Sequence, residues 1–357
     1  MLAVLLSLAL AAPAPLRLAD LLSEVRQKNP DLKAAAARIR AAQSAISPAG
    51  ALDDPMLMVQ LWNGPVDFST VPLMVQLSQN IPLGGKRGAR TDMAKADAAM
   101  ADADLGQKQL DVETQVAAAY FDLFLADRTQ EIDDELEAIL NVVLRAAEAR
   151  VSTGKAEQVE LLRAQGALVQ LRSERETAVD HRRSSWARLS ALLDRDPAAP
   201  PGTTTRPGVL GTLPDVAALT ERALGGRPEL AGSRAAISGA QAQLVAAQEA
   251  ARALRNRVAA DVAEGYAHLL AETHQIDLHH QLIPIARQAV QSGEASYSAG
   301  RSDFTMVLDS ARELRMHEMN LAMHLAAYEQ RFAELQRAVG GDLGLAHASE
   351  AGHEERH

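Results

Sequence analysis

Apolar residues recur along most of this chain in alternating steps of three and four. The pattern is clearest in 132–146 and in 321–339, where leucine, isoleucine, valine and aromatic residues fall on one helical stripe. A repeat of this period is the seam of a left-handed coiled coil, which needs a partner helix along its length. The pattern therefore predicts long helices that pack side by side.

The longest predicted helix covers residues 89–152. This stretch contains one glycine, Gly106, and no proline, so it predicts a single helix of roughly 65 residues. Gly154 is expected to cap the C-terminus of this helix, and residues 155–193 are expected to form a helix that runs antiparallel to it. A shorter helix is predicted over 18–47. Placed end to end, the helices over 18–47 and 155–193 are about as long as the helix over 89–152, so the long helix can pack against both.

The beginning of the chain is repeated further on. Residues 18–46 align without gaps on 216–244 at an offset of 198, which places Pro30 on Pro228. Such self-similarity predicts that one structural unit occurs twice.

A second alignment relates later parts of the two copies. Residues 112–123 match 258–269, now at an offset of 146. We therefore divide the chain into repeat 1 (15–194), a linker rich in proline and glycine (195–214), and repeat 2 (215–341). The shorter offset also pairs residues at two helix turns: Gly154 with Gly300, Lys155 with Arg301, and Glu157 with Asp303.

The two copies differ by a predicted β-hairpin. The offset falls from 198 to 146, so copy two lacks 52 residues that copy one holds between Ile46 and Val112. In copy one, 55–79 contains two short apolar runs separated by turn residues, which is typical of a hairpin. Copy two has no such runs. Its helix is expected either to break within 246–258 or to continue as one rod that disrupts the packing.

Both ends of the chain are interpreted as segments outside the fold. Residues 1–14 resemble a secretory signal peptide, with an apolar run and an A-x-A-like site at Ala12–Ala14; a buried first helix is the alternative. Residues 342–357 are predicted to be a disordered tail, with weak metal binding by its three histidines as the minority interpretation.

Composition excludes several classes of protein. The chain has no cysteine, 3% aromatic and 47% hydrophobic residues, and a formal net charge of −10. Disulfides, thiolate catalysis and cysteine zinc sites are excluded, and the acidic balance without basic runs argues against a nucleic-acid partner. We expect a mainly α protein that is not an enzyme and has no catalytic residues and no cofactor.

Three segments invite a chemical interpretation that we do not adopt. GGKR at 84–87 lacks the glycine spacing and the Ser or Thr of a phosphate-binding loop. His317 and His324 lie in a Met/His-rich segment, but they are seven residues apart, about 10 Å along one helix, so they cannot share a metal. His279 and His280 point to different faces. No metal site is therefore assigned, and a soluble metal-binding protein is the remote alternative.

Four motifs together resemble one family. They are N-P-x-L at 29–32, QNIPLGGKRGAR at 79–90, VAAAYFDLFLADR at 116–128, and YSAGRSDFTMVLDSAREL at 297–314. In this order they are similar to the TolC family of outer-membrane efflux proteins, and most of all to its heavy-metal (cobalt-zinc-cadmium) resistance branch. The resemblance covers residues 16–341.

The resemblance implies a passive export duct for metal ions or drugs. The family forms homotrimers with a membrane part in the outer membrane and a large periplasmic α-barrel, and works with a periplasmic adaptor and an inner-membrane pump. It implies that the hairpin residues Trp62 and Phe68 lie in the membrane, and that Asp303 and Asp309 line a pore constriction; a solvated tip face is the alternative for these two. The implied adaptor contacts are Gly154, Lys155, Glu157, Gly300, Arg301 and Asp303.

The missing hairpin is a departure from this family, whose protomers carry two. Three explanations are open: an internal deletion in an inactive relative, a larger or mixed oligomer, or a periplasmic assembly that only touches the membrane. The alternative function is accordingly a degenerate, non-conducting periplasmic coiled-coil protein.

Overall fold

The computed structural model describes residues 15–61, 73–82, 85–208, 214–239 and 244–343. Their elements are, in chain order, α1 (Leu18–Lys28), α2 (Pro30–Ala49), β1 (Met56–Leu61), β2 (Leu73–Ser78), α3 (Lys86–Ser152), α4 (Gln158–Leu192), α5 (Val216–Gly226), α6 (Pro228–Gly239), α7 (Leu244–Ser298) and α8 (Phe304–Val339). The predicted fold class is confirmed, since long helices accompany one antiparallel hairpin. Trp62 and Phe68 lie outside the described residues.

The first of two compact units contains residues up to 30, 109–227, and those from 256 onward. Helices α3, α4, α7 and α8 pack around a shared apolar core, because each turns an aliphatic stripe inward. The predicted seam at 321–339 is buried at the positions that set its period. Core residues contributed by all four helices are Leu136, Leu140, Leu168, Leu171, Ala286, Val290, Ala311 and Leu314.

The second unit contains residues 31–108 and 228–255. It holds the hairpin, most of α2, the start of α3, α6 and the start of α7. The structure gives a reason for glycine at position 106, because a Cβ there would come within 3.0 Å of the Pro228 ring. The missing side chain therefore allows α3 and α6 to approach closely. At the base of the hairpin, Arg87 donates two hydrogen bonds to the carbonyl of Gly50, of 3.0 and 2.7 Å.

The helix expected over 18–47 is two helices in the structure. Asn29 has φ −56° and ψ 127° and separates α1 from α2. The cause is Pro30, since a proline disfavours helical conformation in the residue before it. Arg227, before the equivalent Pro228, has φ −68° and ψ 128° and separates α5 from α6 in the same way.

Helix α7 runs without interruption through 246–258, so the expected break does not fall there. Residues 240–243, between α6 and α7, lie outside the described residues. Within 214–239 and 244–343 the structure contains helices and no strand. Among the helices that the structure describes, none combines the length and apolarity needed to cross a membrane.

Candidate functional site

The turns that join α3 to α4 and α7 to α8 have the same backbone. Gly154 and Gly300 have φ values of +71° and +73°. One residue later, the N–H of Lys155 donates to the carbonyl of Arg150 at 2.8 Å, and the N–H of Arg301 donates to the carbonyl of Ser296 at 2.8 Å. Glycine is favoured at both turns because L-residues with a side chain rarely adopt positive φ. The turns are thus equivalent at the offset found in the sequence.

An acidic residue precedes the returning helix at each turn. Glu157 (φ −81°, ψ 149°) is the N-cap residue of α4, and Asp303 (φ −84°, ψ 153°) is that of α8. A carboxylate at this position is stabilised by the positive end of the helix dipole. The Thr305 hydroxyl donates a 2.8 Å hydrogen bond to Asp303 and, with backbone N–H groups, lowers the pKa of that carboxyl.

A shared apolar cluster holds the two turns at the same end of the first unit. The ring of Phe304, from the start of α8, packs edge-on against Tyr297, with ring centres 6.3 Å apart. Both rings are buried. The full cluster draws on α3, α4, α7 and α8 and consists of Val143, Ala147, Ala164, Tyr297, Phe304 and Val307.

Tyr297 also makes the polar contacts between the turns. Its hydroxyl donates to Glu160 of α4 at 3.1 Å, and its carbonyl accepts a 3.2 Å hydrogen bond from Arg150 of α3. The Arg150 guanidinium lies 4.4 Å from the ring centre, within cation–π range. Burial, followed by the hydrogen bond to Glu160, raises the pKa of Tyr297 to about 12, so the hydroxyl remains a donor at physiological pH.

The residues predicted for the turns are exposed around this buried centre. Lys155 and Arg301 present positive charge, while Glu157 and Asp303 present negative charge beside them. The exposed polar rim can therefore contact a partner without exposing the apolar cluster. The exposed set is Gly154, Lys155, Glu157, Gly300, Arg301, Asp303 and Asp309.

Asp303 and Asp309 do not lie at one level of the turn. They are six residues apart, which corresponds to about 9 Å along a helix and to different directions around its axis. In a single protomer they therefore form two separate acidic positions rather than one carboxylate pair.

The hairpin has two chemically different faces. Strands β1 and β2 are antiparallel, with Leu57 opposite Leu77 and Val59 opposite Val75. Directly opposed residues share a face, so this face is aliphatic, and these four side chains are more than half exposed. The other face carries mixed chemistry: Met56, Met58, Gln60, Met74, Gln76 and Ser78.

Sequence reasoning missed the residues that hold the turns together. Tyr297 opens the motif at 297–314, but its partners Arg150 and Glu160 stand 147 and 137 residues away. The repeat was the available signal: the offset that pairs the two turn glycines also predicts that the residues flanking them occupy equivalent positions.

A family model described as "Outer membrane efflux protein" matches residues 21–195 and 229–341. The chain belongs to this family. The match confirms the resemblance to TolC-type proteins and includes both helix turns. The description of the family also agrees with the expected location in the outer membrane.

Two curated proteins are similar to parts of this family member. The cobalt-zinc-cadmium resistance protein CzcC of Cupriavidus metallidurans is 28% identical over 233 residues, covering 65% of this chain and 54% of CzcC. The nickel-cobalt-cadmium resistance protein NccC of Alcaligenes xylosoxydans xylosoxydans is 30% identical over 143 residues, covering 36% of this chain and 33% of NccC. The matches thus span about half of CzcC and a third of NccC.

A solved structure shows the same fold. The outer membrane protein VceC of Vibrio cholerae superposes with a TM-score of 0.72 at 18% identity, over 91% of this chain and 96% of VceC. The arrangement of long helices is therefore common to both proteins.

Proposed function

We propose that this chain is the passive outer-membrane duct subunit of a tripartite export system, acting as a homotrimer with a periplasmic adaptor and an inner-membrane pump. The observation that carries the proposal is the pair of equivalent helix turns. They are held side by side by Tyr297 and present Lys155, Glu157, Arg301 and Asp303 to solvent. A rigid apolar centre with an exposed mixed-charge rim suits a docking surface for the adaptor.

We propose metal cations as the exported class. Support comes from the two curated relatives, whose names refer to resistance to cobalt, cadmium, zinc and nickel. Asp303, the N-cap residue of α8, and Asp309, in its second turn, are both exposed. Three copies of each, arranged around a central axis, would give two acidic rings, and rings of carboxylates favour cations in a pore.

The hairpin is the proposed membrane segment. Its aliphatic face carries Leu57, Val59, Val75 and Leu77 exposed on both strands. Such a face is unfavourable in water and suits lipid. The face with glutamines, methionines and serine suits the side turned away from lipid.

Conductance of the purified trimer in a planar bilayer tests the duct and its selectivity. We expect the double variant Asp303→Lys/Asp309→Lys to lose the cation preference of the unmodified channel. Glu176→Lys is the matched control, because Glu176 is an exposed acid in the body of α4. Unchanged ion preference in the double variant would contradict the role of the two aspartates while leaving the duct itself intact.

Cysteine crosslinking tests the docking surface, and the chain is suited to it because it contains no cysteine. Lys155→Cys and Arg301→Cys should crosslink to a co-expressed adaptor. Arg183→Cys is the control, since Arg183 is exposed on α4 but lies about 38 Å along the helix from Gln158. Equal crosslinking at all three positions would refute a docking site at the turns.

One observation favours a second candidate, a non-conducting member of the family. In the predicted repeat 2, the described residues 215–239 and 244–341 contain no strand, so they show no counterpart of β1 and β2. A trimer that is extracted from the outer membrane and inserted into bilayers without producing any conductance would support this candidate over the duct.

A further inference from the structure

Three histidines from two helices converge in the body of the first unit. The ring of His279, on α7, lies 5.4 Å from that of His317 and 5.6 Å from that of His324, both on α8. His317 and His324 are two helical turns apart, about 10 Å, so His279 lies between them. The three rings form what we call the histidine column.

The middle of the column is shielded from water. His279 is 5% exposed, and its Nδ1 atom is buried without a hydrogen-bond partner, as is Nδ1 of His317. Burial costs more free energy for a charged imidazole than for a neutral one, because no hydrogen-bond partner replaces the water that the charged ring loses. The site therefore favours the uncharged ring at its centre.

The ends of the column differ from the middle. At one end, His324 Nδ1 and Glu272 Oε2 are 2.7 Å apart, so this ring has a counter-charge available. At the other end, Glu313 is 3.9 Å from His317 Nε2 and is itself exposed. Neither carboxylate is hydrogen-bonded to His279.

The adjacent ion pair does not supply a counter-charge either. Glu318 of α8 is buried, and it accepts a 2.7 Å hydrogen bond from Arg287 of α7. Of the charged groups on the packed helices, those that act on His279 are His324 and His317, and both are bases. Protonation of the column therefore places like charges side by side.

A shared metal ion explains this geometry less well than protons do. Across the described residues, no group of three or more histidines, aspartates or glutamates is placed to hold a metal ion.

We propose that the histidine column is a proton-responsive lock on the packing of α7 against α8, closed when the rings are neutral and loosened when acid charges them. A proton on His279 would place a positive charge on a buried ring whose Nδ1 has no hydrogen-bond partner, beside the rings of His317 and His324. The lock would act on α7 and α8 whatever the protein exports.

The lowered pKa of His279 determines how pH changes the stability of the packing of α7 against α8. Burial, together with positive charge on His324 and His317, lowers the pKa of His279 below its ordinary value of 6.5. The unfolded or opened chain therefore binds a proton more readily than the packed one. Neutral His279 therefore contributes fully to the stability of the packed helices above pH 6.5, its ordinary pKa. That contribution is lost as the pH falls from 6.5 toward the lowered pKa of the packed state.

Hydrogen exchange followed by mass spectrometry tests the proposal on the intact protein. Measurements at about pH 7.5 and about pH 5.5, on either side of the ordinary histidine pKa, are corrected for the intrinsic exchange rate. Peptides covering 272–284 and 313–328 should exchange several-fold faster in acid, while those from the helix turns should change little. No acid effect in these peptides of the unmodified protein would overturn the proposal.

Variants at adjacent positions separate His279 from its surroundings. His279→Leu and His279→Gln should each abolish the acid-induced increase. His280→Gln is the matched control, because His280 is exposed on the same helix, and it should keep the increase. An equal loss in His280→Gln, or protection by added Ni²⁺ at neutral pH that requires His279, would refute a proton lock.

Discussion

Arg150 meets Tyr297 twice, once through its guanidinium above the aromatic ring and once through a hydrogen bond to the tyrosine carbonyl. The first contact lies 4.4 Å from the ring centre, and the second is 3.2 Å long. Because Arg150 lies in the last turn of α3 and Tyr297 in the last turn of α7, this pair links the ends of two long helices. The Tyr297 hydroxyl extends the link to Glu160 of α4.

Tyr297→Phe should loosen the turns selectively. It removes the hydrogen bond to Glu160 but keeps the ring beneath Arg150, so we expect a loss of about 1 kcal/mol in the local free energy of opening. Arg150→Met removes both contacts with Tyr297 and should cost about 2 kcal/mol. Hydrogen exchange of peptides that cover the two turns measures both effects. Tyr266→Phe, at a partly exposed ring on α7, should leave these peptides unchanged.

Gly154→Ala and Gly300→Ala should each destabilise their turn by about 1–2 kcal/mol, because an L-residue must adopt a left-handed conformation there. An added Cβ would meet no atom within 4 Å at either position, so the cost is conformational. Gly166→Ala is the control: Gly166 lies inside α4, also with free space, and alanine there should stabilise by about 0.5–1 kcal/mol. Thermal unfolding gives the sign of all three. A stabilising effect at Gly154 or Gly300 would contradict the turn geometry.

The equivalence of the two helix turns could be predicted from the internal repeat in the sequence. The offset of 146 paired Gly154 with Gly300 from letters alone, and the structure gives both the same backbone. The absence of proline and the presence of one glycine over 89–152 also predicted α3 nearly to its ends. These features follow from local rules, since glycine, proline and apolar period act within a few residues of themselves.

Features that depend on packing could not be read from the sequence. A metal site at His317 and His324 was not assigned because the two are too far apart on one helix. The sequence did not indicate that α7 would place His279 beside both of them. The break before Pro30 was missed for a different reason. The apolar pattern continues across Asn29, and the backbone restriction imposed by proline overrides it.

The stability of the first unit should depend on an ion pair whose carboxylate is buried. Asp133 of α3 is 1% exposed at its side chain and accepts a 2.8 Å hydrogen bond from Arg315 of α8. Arg315→Met leaves that carboxylate buried without its counter-charge and should cost about 3–5 kcal/mol. Thermal or denaturant unfolding measures the loss.

Two further variants show whether burial is the cause of that loss. Arg188→Met breaks the 3.1 Å pair with Asp122, but Arg188 is 70% exposed, so less than about 1 kcal/mol should be lost. The double variant Asp133→Leu/Arg315→Met should recover much of the stability, since it removes the unpaired charge as well. Equal losses in the Arg315 and Arg188 variants would refute the interpretation.

The two faces of the hairpin should respond in opposite ways to a positive charge. Val59 lies on the aliphatic face and Met58 on the mixed face of the same strand, and both are more than half exposed. If the aliphatic face meets lipid, Val59→Arg should cost about 2–4 kcal/mol near the middle of the membrane and reduce the amount of trimer in the outer-membrane fraction. Met58→Arg should preserve that amount. Because the two positions are adjacent and similarly exposed, general damage to the strand would affect both variants alike. Equal assembly of both, or a greater loss in Met58→Arg, would contradict the proposed orientation of the hairpin.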